Sequence, residues 1–79
     1  MPNGIMNWTF DDVTKFLKRH NFIYNYARGS HYYYIGSYNG IPRQVSVPFH
    51  GSKIIKPRTI KSIILQSGIP KDEWVGKDI

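Results

Sequence analysis

Apolar residues near the start of the chain recur at the spacing of one helix face. This face holds Phe10, Val13, Phe16 and Leu17. Thr9 is a suitable N-cap, and Asp12, three residues later, completes a shortened capping box. Positive side chains near the other end of the helix interact favourably with the helix dipole, and Asn21 ends the helix. The pattern predicts a first helix over residues 10–20, with His20 as a helix-end cation.

The next part of the chain is rich in β-forming residues and divided by turn signals. Strands are predicted over residues 22–27, 31–35 and 41–48. One face of the first strand holds Phe22, Tyr24 and Tyr26, and the two tyrosines are expected to belong to the core or to cover the sheet. Turns are expected at residues 28–30 and, around an Asn-Gly pair, at 37–40. Pro42 and Pro48 cannot donate to a ladder, which indicates either an edge position for the third strand or the ends of a strand.

A second helix is predicted over residues 57–67. Pro57 fits the first helical position, and Gly68 fits the left-handed residue that ends a helix. The apolar face holds Ile60, Ile63 and Ile64. Residues 70–79 are expected to add one short helical turn, from which Trp74 packs back on the body.

The element order α-β-β-β-α predicts an α+β fold. Three sequential strands with short turns form an antiparallel sheet, and two helices with one apolar stripe each cover one face of it. The other face is left open. We interpret residues 1–79 as a single domain in which residues 1–7 form a loose leader. The same order is typical of double-stranded-RNA-binding domains.

The alternation of side chains in the second strand determines what the open face presents. If Tyr33 and Ile35 point into the core, Tyr32 and Tyr34 cover the open face, where they could stack on bases. His31 then points inward too, unless it begins the strand or a bulge at the preceding turn redirects it. This assignment of faces is an expectation for the structure to test.

The distribution of charged residues along the chain indicates what kind of partner the protein binds. The formal net charge is +6, and every carboxylate lies before residue 13 or after residue 69. The segment between them contains nine cations: Lys15, Lys18, Arg19, Arg28, Arg43, Lys53, Lys56, Arg58 and Lys61. A polyanion is the simplest partner, although an anionic membrane surface, an acidic protein or a solvated basic face also fits. Residues 13–69 can form neither a paired-carboxylate site nor a Ser-His-Asp triad.

Two further absences limit the class of protein. The sequence contains no cysteine, so neither a disulfide nor a thiolate metal site supports the fold. It shows no pattern of a signal peptide and no apolar run that would span a membrane. A cytoplasmic protein without a membrane interaction is therefore expected.

His31 is the strongest candidate for chemistry. It follows a Gly-Ser turn, and its neighbours are Arg28 and three tyrosines, a mixture that suits a phosphate and an unstacked base. Imidazole titrates near pH 6.5, so it can take a proton from an RNA 2′-hydroxyl or supply one to the leaving 5′-oxygen. Because RNA provides its own nucleophile, no metal or other cofactor is required. A purely structural histidine is the alternative.

A second group of residues, Lys53, Lys56 and Arg58, can bind phosphate oxygens and offset charge in the transition state. A bound anion would also relieve the unfavourable cations at the start of the second helix. The alternative is a solvated basic loop. His50 is either a second acid–base partner or a loop cap. The three histidines lack a companion ligand at a sensible spacing, so no metal site is predicted.

Three runs of sequence, in this order, resemble the HicA (YcfA-like) toxin family. They are residues 29–34, which begin Gly-Ser-His, residues 45–53, and the segment from Ile55 to Ile69. Together they extend the resemblance over about residues 8–70. The chain departs from the family pattern in a longer segment before Trp8 and in the tyrosines around the first run.

The resemblance implies a small fold like that of double-stranded-RNA-binding domains and a ribonuclease that cleaves mRNA without a metal. It also implies neutralisation by a HicB antitoxin, expected here to cover His31. The catalytic histidine of the family maps onto His31, and a Lys-Pro-x-Thr segment maps onto residues 56–59. RNA binding is expected from Arg28, Gly29, Ser30, Lys53, Lys56 and Arg58. Two alternatives stay open: a non-catalytic double-stranded-RNA binder, and a module whose basic face meets an acidic protein or DNA.

Overall fold

The computed structural model describes residues 7–75. Its elements are α1 (Phe10–Arg19), β1 (Ile23–Arg28), β2 (His31–Tyr38), β3 (Ile41–Pro48), α2 (Pro57–Ser67) and a short α3 (Lys71–Trp74). The expected α+β order, with its short C-terminal turn, is confirmed. The predicted leader over residues 1–7 lies outside the described residues except for its last residue, as do residues 76–79.

The start of α1 forms the predicted capping box. The Asp12 N–H donates to Thr9 Oγ1 at 3.2 Å, and the Thr9 N–H donates to Asp12 Oδ2 at 3.0 Å. At the other end, His20 lies one residue beyond the helix as its C-cap. Its Nδ1 lies 3.0 Å from the Phe16 carbonyl oxygen, and its ring stacks on the Phe16 ring. These contacts confirm the interpretation of His20 as a helix-end residue.

The three strands form an antiparallel meander in the order β1-β2-β3. β3 is therefore an edge strand, which is one of the alternatives that its two prolines indicated. Asn39 (φ 53°) and Gly40 (φ 77°) both have positive φ, the combination that a two-residue type I′ hairpin requires. This turn is two residues shorter than predicted, so β2 continues to Tyr38.

Gly36 explains why β2 was predicted to end too early. Glycine is depleted in strands, and the run of β-forming residues stops before it. In the structure the ring of Phe22 lies directly over Gly36, and a Cβ at that position would be 2.7 Å from Phe22 Cγ. Phe22 is only 1% exposed. Gly36 is thus a strand residue that has no side chain, so a core ring can pack directly on its backbone.

The predicted faces of β2 are wrong. Tyr34 is buried at 5% exposure and Tyr32 packs against the core, so both point toward the helices. Their partners across the sheet are Val45 and Val47, both fully buried. Because alternate side chains point to opposite faces, Tyr33 belongs to the open face. The tyrosines can point inward because their rings are apolar and the Tyr34 hydroxyl finds a hydrogen-bond partner in Thr14.

One core lies between the sheet and the helices. α1, α2 and α3 all contribute to it, which confirms that the helices cover a single face of the sheet. Trp74 of α3 packs back as predicted: its ring stacks on Phe16 at 3.9 Å and meets Trp8 edge-on at 5.5 Å. Within residues 7–75 no helix lies on the opposite face of the sheet. None of the described helices is long and apolar enough to cross a membrane.

Replacing Gly36 with alanine tests the close approach of Phe22. The added methyl would overlap a ring that the core holds in place, so Gly36→Ala should lower the free energy of unfolding by about 1–3 kcal/mol. Urea denaturation measures this change. Ser37→Ala, at the exposed next position, is the control and should stay within about 0.5 kcal/mol of the wild type. Equal effects of the two variants would contradict the contact.

Burial of Tyr34 makes the free energy of unfolding depend on pH in the alkaline range. Burial raises the pKa of Tyr34 above its ordinary value, Thr14 opposes this by hydrogen bonding, and Tyr24 and Tyr32 add to it. The unfolded chain then releases the proton first, so this contribution is complete below about pH 10 and is lost as pH rises beyond it. The free energy of unfolding should fall above pH 10 more steeply in the wild type than in Tyr34→Phe. Parallel pH curves would contradict this expectation.

Candidate active site

His31 is the first residue of the central strand. It is exposed, and its partners across the sheet are Arg28 on one side and Pro48 on the other. The turn before it contains Gly29 at φ 57°, a left-handed conformation that glycine adopts without strain. The carbonyl oxygen of Ser30 accepts a hydrogen bond from the Phe49 N–H at 2.7 Å. The backbone at His31 is therefore fixed from both sides.

The imidazole of His31 lies on the open face, as Tyr33 does. Neither a strand end nor a bulge at the preceding turn is therefore needed to turn His31 away from the core. His31 shares this face with Tyr33, two residues along the strand, because Tyr32 is the residue that points to the core. Among the described residues the His31 ring has no hydrogen-bond or ion-pair partner. A ring in this state is accessible to a ligand and is not oriented by a carboxylate.

A bulge in β1 determines where Arg28 points. The register between β1 and β2 shifts between Tyr24 and Tyr26, so one extra residue lies in β1 at this point. Tyr24 therefore points to the inner face, where its ring meets those of Tyr32 and Tyr34, whereas Tyr26 and Arg28 point to the open face. The prediction that Tyr24 and Tyr26 share a face is wrong for this reason. The bulge brings Arg28 to the same side of the sheet as His31.

An open groove of ≈ 600 Å³ runs from His31 across the β3 edge to the start of α2. Its lining is His31, Ser46, Pro48, His50, Lys53, Ile54, Ile55, Lys56, Thr59 and Gln66. We call it the His31 groove. It unites four of the predicted residues: His31, His50, Lys53 and Lys56. Gly29 and Ser30 do not line it but form the turn that positions His31, Arg28 stands beside His31 on β1, and Arg58 is exposed on α2 outside the groove.

The loop between β3 and α2 is held in place at its centre. The Ile55 N–H donates to the Trp8 carbonyl oxygen at 2.7 Å, and Ile54 forms a β-bridge with Thr9. Ile55 itself is buried. Earlier in the loop, the Lys53 N–H donates to the His50 carbonyl oxygen at 3.2 Å. These contacts place the exposed lysine side chains on both sides of an anchored segment.

The start of α2 offers backbone donors to the same groove. Lys56 is the N-cap but gives no side-chain cap hydrogen bond, and the first turn contains no acidic residue. A helix start with uncapped N–H groups and cations beside it favours a bound anion. Thr59, in the first turn, adds a hydroxyl to the lining.

Three polar lining residues were not predicted as separate site residues: Ser46, Thr59 and Gln66. Gln66 accepts a hydrogen bond from the Ser46 N–H at 2.7 Å and donates to Ser62 Oγ at 3.0 Å. It thereby satisfies a backbone donor on the outer edge of β3. A polar residue three positions after Ile63 gave only a weak signal, because helices often carry such residues on their solvated side.

The charges around the groove have one sign. Its lining includes two lysines and two histidines and no carboxylate. The acidic residues of the described chain lie on α1 and α3, and Asp11 pairs with Lys15 at 3.2 Å. Within residues 7–75 no group of three or more His, Cys, Asp or Glu side chains is arranged to hold a metal ion. The groove can thus bind an anion and offer imidazole for proton transfer.

Comparison with known proteins adds an independent finding. A family model described as the HicA toxin of bacterial toxin–antitoxin systems matches residues 10–69. The match begins with α1 and ends just after α2, so it includes the sheet and the whole His31 groove. Comparisons with curated proteins and with solved structures each gave no match.

Removing the Gln66 amide tests its role at the edge of β3. Gln66→Leu leaves the partly buried Ser46 N–H without its acceptor, so the free energy of unfolding should fall by about 1–3 kcal/mol. Ser62→Ala removes only the exposed hydrogen bond of the same amide and should change stability by less than about 0.5 kcal/mol. Urea denaturation compares the two. The interpretation would be wrong if Ser62→Ala cost as much as Gln66→Leu.

Proposed function

Because the chain belongs to the HicA toxin family, whose members are the toxins of bacterial toxin–antitoxin systems, we propose that it is an endoribonuclease that cleaves mRNA. One observation carries the proposal: His31 is exposed at the start of the central strand and shares a groove with Lys53 and Lys56. General acid–base chemistry needs an accessible imidazole at a fixed position, and RNA needs cations beside it. The groove provides both.

The proposed reaction uses the RNA as its own nucleophile. The 2′-oxygen attacks the neighbouring phosphorus and loses its proton to a base, while the P–O5′ bond breaks and the 5′-oxygen takes a proton from an acid. The products are a 2′,3′-cyclic phosphate and a 5′-hydroxyl. His31 serves as the base or as the acid in this step, which needs no metal ion. Such proton transfer contributes roughly 10²–10⁴-fold to the rate.

His50 is the proposed second acid–base partner. It lines the same groove, and its backbone carbonyl is tied to Lys53 in the loop after β3. Two imidazoles on different elements can serve opposite sides of one phosphate, one as base and the other as acid. Water is the alternative partner, in which case His50 only caps the loop.

The cations differ in how close to the reacting phosphate each of them would bind. Lys53 and Lys56 line the groove and would contact the reacting phosphate, where they offset charge in the transition state. Arg28 stands beside His31 on the open face, so it suits a flanking phosphate. Arg58, exposed one turn into α2, would bind more remotely. Gly29 and Ser30 contribute by forming the turn that positions His31.

A toxin of this family acts within a pair, and we propose that its partner is a HicB-like antitoxin that covers His31. The net charge of +6 favours an acidic contact surface on the antitoxin. We further propose that residues 1–79 form a single domain and that the protein acts on mRNA in the cytoplasm. No cofactor enters the proposed reaction.

Replacing His31 tests the nuclease proposal. His31→Ala should lower the rate of cleavage of a single-stranded RNA by roughly 10²–10⁴-fold while RNA affinity changes little, because the lysines remain. The wild-type reaction should continue in excess EDTA and leave 2′,3′-cyclic phosphate ends. Gel assays of a labelled RNA measure the rate, and mass spectrometry identifies the ends.

A matched pair of lysine variants separates the groove from general charge. Lys56→Ala should weaken RNA binding and cleavage, whereas Lys15→Ala, which removes the same charge on α1, should change neither by more than about twofold. A wild-type chain that binds duplex RNA but does not cleave any RNA would support the non-catalytic alternative. Undiminished cleavage by His31→Ala would show that the histidine is structural.

A further inference from the structure

The open face of the sheet carries a stacked pair of tyrosines close to His31. The rings of Tyr26 and Tyr33 lie 4.6 Å apart with an angle of 15° between their planes. They are cross-strand partners on β1 and β2, and Tyr26 is 42% exposed. We call them the tyrosine pair. The next outward-facing pair along the two strands is Arg28 and His31.

This pair is not part of the core. The core lies on the other face, where the aromatic residues of β2 are Tyr32, Tyr34 and Tyr38. In the part of the chain that the structure describes, no helix covers the open face, so both rings keep part of their surface accessible to solvent. Stacking across strands contributes about 0.5–1.5 kcal/mol to the sheet, but an exposed aromatic platform is also a binding surface.

Tyr33 does not itself line the His31 groove, but its neighbour across the sheet on β3 does. Tyr26 covers one side of the Tyr33 ring, and the residue across from Tyr33 on β3 is Ser46. The short Ser46 side chain cannot cover a phenol ring, and Ser46 lines the His31 groove. A flat group entering from the groove can therefore stack on the free side of Tyr33.

The spacing matches one nucleotide. Tyr33 lies two residues from His31 on the same face, about 7 Å along the strand. This is close to the length of one nucleotide in an extended strand, so a phosphate at His31 places an adjacent base at Tyr33. Arg28, on the same face, supplies a positive charge for the flanking backbone.

We propose that Tyr33, supported by Tyr26, is a nucleobase-binding subsite that stacks the unpaired base next to the scissile phosphate. The inference rests on the proposed nuclease function and assigns it a single-stranded substrate, because a base within a duplex cannot present its face to a side chain. Charge fits RNA and an acidic peptide alike, but the exposed rings favour RNA, since each nucleotide offers a flat base and a peptide does not. Stacking tolerates every base, so the site should favour purines over pyrimidines only modestly.

The test measures binding separately from cleavage. Binding is measured in the His31→Ala background, with a single-stranded oligonucleotide that contains the fluorescent base 2-aminopurine. Tyr33→Leu should weaken binding about 5- to 100-fold and abolish the quenching of 2-aminopurine that stacking produces. Tyr33→Phe, which keeps the aromatic ring, should retain both. Tyr24→Leu removes an exposed tyrosine from the other side of β1 and should leave both unchanged.

The same variants with His31 present connect the subsite to turnover. Tyr33→Leu should lower kcat/KM for single-stranded RNA by a similar factor, whereas Tyr33→Phe should not. Thermal unfolding shows that each variant is folded before it is assayed. If Tyr33→Leu does not fold, Tyr26→Leu, which removes only the supporting ring, should give a smaller loss of the same kind.

Three outcomes would overturn the subsite. The first is unchanged RNA affinity and quenching in Tyr33→Leu. The second is an equal loss in Tyr24→Leu. The third is loss of antitoxin binding with RNA affinity intact, which would make the tyrosine pair a protein contact. A wild-type chain that does not cleave RNA would instead contradict the nuclease proposal. The binding measurements would still show whether Tyr33 stacks on a base.

Discussion

The pairing of β2 with β3 determines which side chains of this small protein meet the core and which meet a ligand. Val45 and Val47 are fully buried, and the tyrosines opposite them, Tyr34 and Tyr32, are drawn to the same side. Strand alternation then leaves His31 and Tyr33 on the solvated face. A shift of one residue in this register would bury the histidine and expose the tyrosines, so the candidate site depends on the packing behind it.

The loop between β3 and α2 depends on the same core. Ile55 is buried and donates to the Trp8 carbonyl oxygen, while Trp8 in turn contacts the rings of α1 and α3. The lysines on both sides of Ile55 are exposed, yet the backbone between them is anchored. A basic segment held in this way presents charge at a defined place beside His31, which a flexible tail would not do.

The elements were predictable from the sequence because each has a local signal. The capping box at Thr9, Pro57 at the start of α2 and the left-handed Gly68 mark helix ends within one residue of those observed. The faces of β2 were not predictable, since Tyr32 and Tyr33 are equally suited to either side. The bulge in β1 and the approach of Phe22 to Gly36 are tertiary features without a local pattern. His31, His50, Lys53 and Lys56 were predicted individually, but Gln66 lines the groove, and Tyr33 lies beside Ser46 on the open face, only because of the fold.

The location of His31 on the central strand affects how the protein would lose function on heating. The backbone of β2 is hydrogen-bonded along both edges, and segments of this kind open only when the whole structure does. Amide exchange in the middle of β2 should therefore be among the slowest in the molecule, and slower than in the two outer strands. Only His31 of the groove lining belongs to this strand, so the histidine should keep its position through local fluctuations until the whole sheet melts.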